Sequence, residues 1–284
     1  MKRHLSYIIA AGMFLSAVVL SCDKEKDEEK VMTMTTSASG EISIYLSGAG
    51  TATIDWGDGS ESDTKTISPP TGIDIAFTEF IHSYSGTNAH TITISGKKIT
   101  GMNCRHFSIM NLDVSKNNVL TNMSLTFNQL TRIDISKNKA LTYLNCSLNP
   151  ITSLDISKNI LLTDLICYGT SLTSLDVSKN TKLVSLWCFE NKLTSLDVRK
   201  NTTLVWLLCS GNQLTADNLD VLFGTLHSNT ITLPMPVPVS KEIHIHDNSG
   251  TDDCDQSIAT KKGWTVYTES PFIFPALQRT MDGG

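Results

Sequence analysis

Cysteines at a regular spacing are the first residues of this sequence to invite a search for chemistry. Five of them are separated by multiples of 21 residues: Cys104, Cys146, Cys167, Cys188 and Cys209. Zinc sites made from cysteine need paired ligands such as C-x-x-C, which one thiol per 21 residues does not supply. Side chains that repeat once per unit also point alongside each other, which is poor disulfide geometry. We therefore predict buried, reduced thiols and no zinc site.

Aspartates and histidines offer further ligand types. Five aspartates share the 21-residue spacing: Asp113, Asp134, Asp155, Asp176 and Asp197. Such a row could bind cations. However, a row of lysines runs parallel to it, and aspartate side chains can also cap turn amides, so we favour a structural, turn-capping role. His244 and His246 lie on one face of a predicted strand and allow a metal pair, although no third ligand is fixed by spacing. Motifs such as G-x-S-x-G and H-E-x-x-H are absent, so we predict no catalysis and no cofactor.

The N-terminus predicts export and lipid attachment. Residues 1–21 place a short apolar run after a basic head, which is the pattern of a signal peptide. The segment Val19-Leu20-Ser21-Cys22 resembles the lipobox of bacterial lipoproteins, which implies that the Cys22 thiol carries a diacylglycerol. Residues 22–30 form an acidic tether that resembles an export signal of Bacteroidota-type lipoproteins, with a plain linker as the alternative. The resemblance implies a lipid anchor in the outer membrane, facing the cell exterior.

Composition predicts a folded chain that does not bind nucleic acid. Hydrophobic residues make up 40% of the sequence and charged residues 18%, which is sufficient for a core. The formal net charge is −5, whereas nucleic-acid phosphates require a basic footprint.

One internal period organises the middle of the chain. Residues 172–192 read LTSLDVSKNTKLVSLWCFENK, and residues 193–213 read LTSLDVRKNTTLVWLLCSGNQ. The pattern L-x-x-L-x-C-x-x-N-x-L resembles the leucine-rich repeat, particularly the cysteine-ladder repeats of internalin-like bacterial surface proteins. The resemblance implies a solenoid over residues 99–213. Thr170 replaces the asparagine of the other units, so we expect a distorted turn there.

A second column of asparagines accompanies these repeats. It consists of Asn117, Asn138, Asn159, Asn180 and Asn201. Inward-facing amides at these positions can bond backbone groups that a turning chain leaves unpaired, so we interpret this column as structural.

The flanking segments predict two smaller units. Apolar and polar residues alternate in parts of residues 31–98, which predicts short strands. The sequence around Trp56 (DWGDGS), followed by His82-Ser83-Tyr84, resembles PKD-like immunoglobulin-type modules. Residues 214–267 predict two helices and two strands, and residues 268–284 a tail. The predicted fold class is mainly β with some α: a leucine-rich repeat solenoid preceded by a small immunoglobulin-like (PKD-like) β domain and closed by an α/β C-terminal cap.

Alternation along each repeat strand predicts a binding face. When the leucines and cysteines point inward, their neighbours point outward, and the apolar outward residues are Tyr143, Ile166, Tyr168, Trp187, Phe189, Trp206 and Leu208. Exposed aromatic patches of this kind mark partner sites, with Trp187, Phe189 and Trp206 as expected anchors and Tyr143 and Tyr168 at the rim. The alternative is that the C-terminal cap, the N-terminal module or a second copy of the chain covers this face.

Three functions are compatible with this organisation. The favoured hypothesis is a non-catalytic cell-surface lipoprotein that binds a protein or glycan partner through its repeat face, in adhesion or recognition. The second is a structural or spacer subunit of an outer-membrane assembly. The third is an enzyme that degrades polysaccharide or peptide, because carboxylates from distant segments can converge without a motif.

Overall fold

The computed structural model describes residues 30–69, 77–231 and 240–269. Its N-terminal part consists of seven strands, and in those at Val31–Thr36 and His90–Ser95 buried side chains alternate with less buried ones, as alternating sequences require. They are β1 (Val31–Thr36), β2 (Gly40–Asp55), β3 (Asp63–Ile67), β4 (Thr78–Tyr84), β5 (His90–Ser95), β6 (Lys98–Asn103) and β7 (Ile109–Asp113). All pairings among these seven strands are antiparallel.

The long strand β2 connects two sheets. It pairs with β3 and β5 near its end and with β4 and β6 over its first two thirds. Its register against β6 shifts between Ser47 and Gly48. A Cβ on Gly48 would lie 2.0 Å from the carbonyl oxygen of Lys98, so only glycine permits this close approach.

Trp56 lies in the core of this N-terminal part, 1% exposed, and stacks on His82 with ring centroids 4.8 Å apart. The following turn is closed by Asp58, whose Oδ1 accepts hydrogen bonds from the Ser60 amide and hydroxyl. Those bonds hold the pKa of Asp58 well below its usual range. Asp58 also pairs with His82 at 2.7 Å, which ties the turn to β4.

The middle of the chain is a parallel solenoid with one short strand per coil. These strands are β8 (Asn122–Ser124), β9 (Tyr143–Asn145), β10 (Asp164–Ile166), β11 (Ser185–Trp187) and β12 (Trp206–Leu208). The central residue of each strand is fully buried, and so is the cysteine or leucine two positions later. The free cysteines of the ladder are all buried, and burial raises the pKa of Cys146 and Cys188 to about 12. The chain is thus a mainly β solenoid of leucine-rich-repeat type.

The parallel sheet extends beyond the regular repeats at both ends. At the N-terminal end β6 pairs in parallel with β8, so the sheet runs across residues 98 and 99 without interruption. At the C-terminal end β13 (Lys241–His244) and β14 (Trp264–Tyr267) continue it in parallel. Helix α1 (Ala216–Thr225) and the short α2 (Ser257–Thr260) connect these strands. Helix α1 begins at a capping box between Thr215 and Asn218.

Buried asparagines connect each coil to the preceding one. Nδ2 of Asn180 donates to the backbone oxygens of Ile156, 3.0 Å away, and Asn159, 2.9 Å away. The same pair of bonds is made by Asn138, Asn159 and Asn201. These side chains satisfy carbonyls that the turning backbone leaves unpaired.

A second set of side-chain bonds closes the turn after each strand. Oδ1 of Asn191 accepts from the Leu172 amide, while its Nδ2 donates to the carbonyl of Cys167. In the unit that lacks this asparagine, the Thr170 hydroxyl donates to the Cys167 carbonyl and lies 2.6 Å from Asn191 Oδ1. Gly169 there has φ 59°, like Gly211 in a regular unit. The expected distortion is wrong, because the threonine hydroxyl replaces part of the amide's bonding.

The repeating aspartates cap turns. Oδ1 of each accepts from the amide two residues later, at 2.8–3.0 Å. These hydrogen bonds lower the pKa of Asp134, Asp155 and Asp176.

Replacement of Asn180 by alanine should lower the free energy of unfolding by about 2 kcal/mol, because two buried carbonyls lose their donor. Urea unfolding followed by circular dichroism measures the change. The matched control is Thr181→Ala, which alters the exposed neighbouring side chain and should stay within about 0.5 kcal/mol of the parent. Equal losses in the two variants would contradict the structural role of the asparagine column.

Candidate functional site

The candidate site is the outward side of strands β8 to β14, called the strand face below. Strand register aligns its side chains in columns that run from coil to coil. The first column contains Asn122, Tyr143, Asp164, Ser185, Trp206, Glu242 and Thr265; the second contains Ser124, Asn145, Ile166, Trp187, Leu208, His244 and Tyr267. The backbone hydrogen bonds after the strands align a third column, Ser147, Tyr168, Phe189, Ser210 and His246. The structure thus brings together all seven apolar residues singled out in the sequence.

The strand face continues beyond the 21-residue repeats. In the coil of β13, Ile245 occupies the position of the ladder cysteine and Asn248 that of the turn asparagine. Nδ2 of Asn248 donates to the carbonyls of Cys209 and Ile245, as Asn212 donates to Cys188 and Cys209. Sequence reasoning missed this coil because α1 and a following loop lengthen its period. The available signal was the run Ile243 to Asn248, which keeps the spacing of the motif.

Exposure separates the predicted binding residues into two groups. Tyr143, Tyr168, Trp187 and Trp206 are half-buried. The expectation that all seven residues face solvent is wrong for three of them, since Ile166 is 2%, Leu208 6% and Phe189 9% exposed. Neighbours on adjacent strands lie only about 4.8 Å away, so large rings shield the flanks of smaller residues.

Stacked rings occur in the second and third columns of this face. Tyr168 and Phe189 stack with centroids 4.3 Å apart and planes 6° from parallel, and each takes part in a further interaction. His244 stacks on Tyr267 at 4.4 Å. Offset and stacked rings of this kind contribute stability beyond the area they bury.

Burial changes the acidity of two groups in the first column. Desolvation raises the pKa of Asp164 above its usual value, although the Thr163 hydroxyl donates to its Oδ2 at 2.7 Å. Desolvation also raises the pKa of Tyr143 on the neighbouring strand. An ionised Asp164 therefore costs folding free energy where it stands, and it offers a strong acceptor to any donor that reaches it.

Several polar atoms of the strand face are buried and lack a hydrogen-bond partner. Among the described residues these are Nε1 of Trp187, Oγ of Ser210, Nδ1 of His244 and Nε2 of His246. Buried polar atoms are normally paired, and each exception carries a cost of about 1–3 kcal/mol. The cluster lies on β11 to β13 and the turns that follow those strands.

The two histidines do not form a metal site with other side chains of the described chain. Nε2 of His244 is 3.9 Å from Glu242 Oε2, and Nδ1 of His246 is 2.8 Å from Asp247 Oδ2. In residues 30–69, 77–231 and 240–269, no three histidine, cysteine or acidic side chains are placed to hold one ion.

Substitution of Asp164 by asparagine should raise stability at neutral pH. The pKa of Asp164 is higher in the folded state than in the unfolded state, so this one group increasingly destabilises the fold as pH rises from its unfolded-state pKa through its folded-state pKa. Asp164→Asn removes this loss, and its advantage over the parent in free energy of unfolding should grow from pH 3.5 to pH 7.

The matched control for that substitution is Asp155→Asn. Hydrogen bonds from Ser157 lower the pKa of Asp155, so its carboxylate favours folding at neutral pH and its replacement should have the opposite sign. Urea titrations at each pH measure both effects. An Asp164→Asn variant less stable than the parent at pH 7 would show that a partner group compensates the carboxylate.

Comparison with known proteins identifies only structural neighbours. No protein-family model matches the chain, and no curated protein matches it. Among solved structures, it is similar to the functional domain of InlJ from Listeria monocytogenes, described as including a cysteine ladder, with 28% identity and a TM-score of 0.40 over 61% of this chain and 46% of that one.

Two further neighbours are internalins of the same organism. Internalin inlF has 17% identity and a TM-score of 0.43 over 62% of this chain and 51% of its own. Internalin C2 has 21% identity and a TM-score of 0.43 over 59% of this chain and 80% of its own. The chain thus spans about half the length of the first two neighbours.

Proposed function

We propose that this chain is a non-catalytic recognition protein that binds a protein or glycan partner through the strand face. One observation carries the proposal: strand register places half-buried aromatic rings of separate coils on one side of a rigid parallel sheet. Tyr143 and Trp206 lie in its first column, and Trp187 lies in the second. Aromatic side chains bind partners well because they bury a large area at a small cost in conformational entropy.

Asp164 supports the same proposal. It lies between Tyr143 and Ser185 in the first column, where burial disfavours its ionised form. Natural proteins retain residues that cost stability mainly where they serve a function. A carboxylate beside an aromatic ring suits a partner that presents an ammonium, guanidinium or hydroxyl group.

The flanking segments fit the role of caps for the solenoid. We propose a PKD-like module at residues 31–98 and an α/β cap at residues 214–267. Support comes from β6, which pairs with the first coil, and from α1, whose Leu219, Leu222 and Phe223 are buried at the other end. Solenoids need such ends because a terminal coil would otherwise expose its apolar side.

Simultaneous replacement of Tyr143 and Trp206 by alanine should weaken partner binding about 30-fold or more, since the loss of the anchor Trp206 alone costs about 2 kcal/mol and the loss of Tyr143 at the rim adds to it. The parent chain and the variant are compared on a glycan array and against solubilised outer-membrane proteins, which separates the two ligand classes. Thr173→Ala, an exposed site away from the strand face, is the matched control. A partner that binds all three chains equally would contradict the proposal.

The location that best fits this role is the outer surface of the cell. We propose that Cys22 carries the lipid anchor and that residues 22–30 act as the tether; of these, residues 22–29 lie outside the described residues. Within the described residues, no helix is long and apolar enough to cross a membrane. Several acyl chains on one cysteine would hold the protein firmly, since each buried methylene contributes about 0.8 kcal/mol.

Cys22→Ala should abolish labelling by a radioactive fatty acid and move the protein from the membrane pellet to the soluble fraction. Fractionation of cells that express the parent, the variant or Cys254→Ser measures this shift. The last of these replaces a half-buried thiol of the folded domain and should remain lipidated. A Cys22→Ala protein that sediments with membranes as fully as the parent would show that the anchor lies elsewhere.

A further inference from the structure

The first column of the strand face contains the same arrangement twice. Tyr143 on β9 lies beside Asp164 on β10, and Trp206 on β12 lies beside Glu242 on β13. In both cases a carboxylate follows an aromatic ring on the next strand, about 4.8 Å further along the solenoid. Burial raises the pKa of Tyr143 and the charge of Asp164 raises it further, so these two side chains are close enough to interact. We call each ring with its carboxylate an aromatic–acid pair.

Neither carboxylate has an ammonium or guanidinium partner among the described residues. From β9 to β13, the three columns contain these two carboxylates and no lysine or arginine. The lysine next to Glu242 in sequence is Lys241, and its Nζ donates to three backbone carbonyls elsewhere. Nε2 of His244 is 3.9 Å from Glu242 Oε2, but burial lowers the pKa of His244 and favours its neutral form. The strand face therefore carries negative charge that the described residues do not balance.

An ammonium or guanidinium group of a partner fits each aromatic–acid pair. A cation is attracted to the face of a tyrosine or tryptophan ring within about 6 Å of its centroid, and a carboxylate on the next strand accepts its hydrogen bonds at the same time. Burial disfavours the ionised form of Asp164, and a bound cation offsets that cost. A neutral hydroxyl group compensates a buried charge much less, so the two pairs favour a basic peptide over a neutral glycan.

The distance between the two pairs defines the partner further. Three strand spacings of about 4.8 Å separate them, which is about 14 Å. An extended peptide advances about 3.4 Å per residue, so residues four positions apart are also about 14 Å apart, and they point to the same side. Strand β11 lies midway between the pairs and carries the small, 7% exposed Ser185 in the first column and Trp187 in the second. The peptide residue midway between the two cations therefore meets an aromatic ring, which suits an apolar side chain.

We propose that the partner of the strand face is a protein that presents an extended basic segment, in which two arginines or lysines lie four positions apart with an apolar residue midway. The segment runs along the solenoid, across the strands. One cation binds at Tyr143 and Asp164, and the other binds at Trp206 and Glu242. The apolar residue packs on β11 beside Trp187. This inference rests on the proposed binding role of the strand face and names the chemistry of its partner.

Two synthetic peptides of the same composition and charge test the spacing. The first, Gly-Ser-Arg-Thr-Leu-Thr-Arg-Ser-Gly, carries its arginines four positions apart. Its isomer, Gly-Ser-Arg-Thr-Leu-Arg-Thr-Ser-Gly, carries them three positions apart and presents them on opposite sides when it is extended. The first peptide should bind at least about ten-fold more tightly, because the isomer occupies only one aromatic–acid pair at a time.

Fluorine NMR of the chain labelled with fluorotryptophan measures these affinities, including weak ones. The chain contains four tryptophans: Trp56, Trp187, Trp206 and Trp264. The resonances of Trp187 and Trp206 should shift as the first peptide is added, because both rings lie on the strand face. Trp56 and Trp264 are at most 2% exposed, so their resonances serve as internal controls and should not shift.

Neutral replacements of the two carboxylates test their role in the same measurement. Asp164→Asn combined with Glu242→Gln should weaken binding of the first peptide about ten-fold or more and remove its advantage over the isomer. The matched control is Glu41→Gln combined with Glu61→Gln, which removes two exposed carboxylates from the N-terminal part and should leave the affinity unchanged. Circular dichroism of each variant confirms that the solenoid is folded.

Three results would overturn the inference. They are equal affinities of the two peptides for the parent chain, no shift of Trp206 with either peptide, and equal weakening by the strand-face and control variants. Binding of glycans and outer-membrane proteins to the Tyr143→Ala/Trp206→Ala variant tests the proposed function separately. A neutral glycan that binds through these two rings would exclude the basic segment and leave the binding role of the strand face intact.

Discussion

The need to pair every buried backbone group shapes this molecule. A chain that completes one coil in 21 residues turns too often to satisfy its carbonyls through strand pairing alone, and its strands are only three residues long. Side-chain amides supply the missing donors: Asn180 bonds two carbonyls of the preceding coil, and Asn191 closes the turn after β11. The inward leucines and cysteines pack only because these bonds hold successive coils in register.

Because the inward side chains and the asparagine amides hold the coils together, the side chains of the outward columns are free to vary. Inward positions repeat nearly unchanged from coil to coil, whereas the second outward column passes through asparagine, isoleucine, tryptophan, leucine and histidine. Apart from Asn145, whose Oδ1 accepts from the Ser147 amide, these side chains bond no backbone group of the described residues, so they can serve recognition. Asp164 illustrates the result, because its charge costs folding free energy and nothing in the coil geometry requires it.

Sequence periodicity predicts the parts of the structure that repeat and fails where repetition ends. The 21-residue spacing correctly places the columns of Trp187 and Trp206, and it correctly predicts free, buried cysteines. It does not reveal that Ile245 and Asn248 form another coil, because the intervening helix changes the spacing. Alternation predicts which side of the sheet Ile166 occupies, but its exposure depends on what lies above it, and no local pattern encodes that.

The unbroken pairing of β6 with β8 has a consequence for how the chain folds. Residues 172–177 and 193–198 are the same six letters, so a nascent coil could dock on the wrong neighbour with almost the same local energy. The N-terminal sheet resembles no other part of the chain, and it presents a single parallel edge at β6. Strand β6 is synthesised before the repeats. Each later coil can then pair with the exposed edge of the coil before it. The N-terminal part can therefore act as the template that sets the count of coils, which protects a nearly degenerate sequence from slipping.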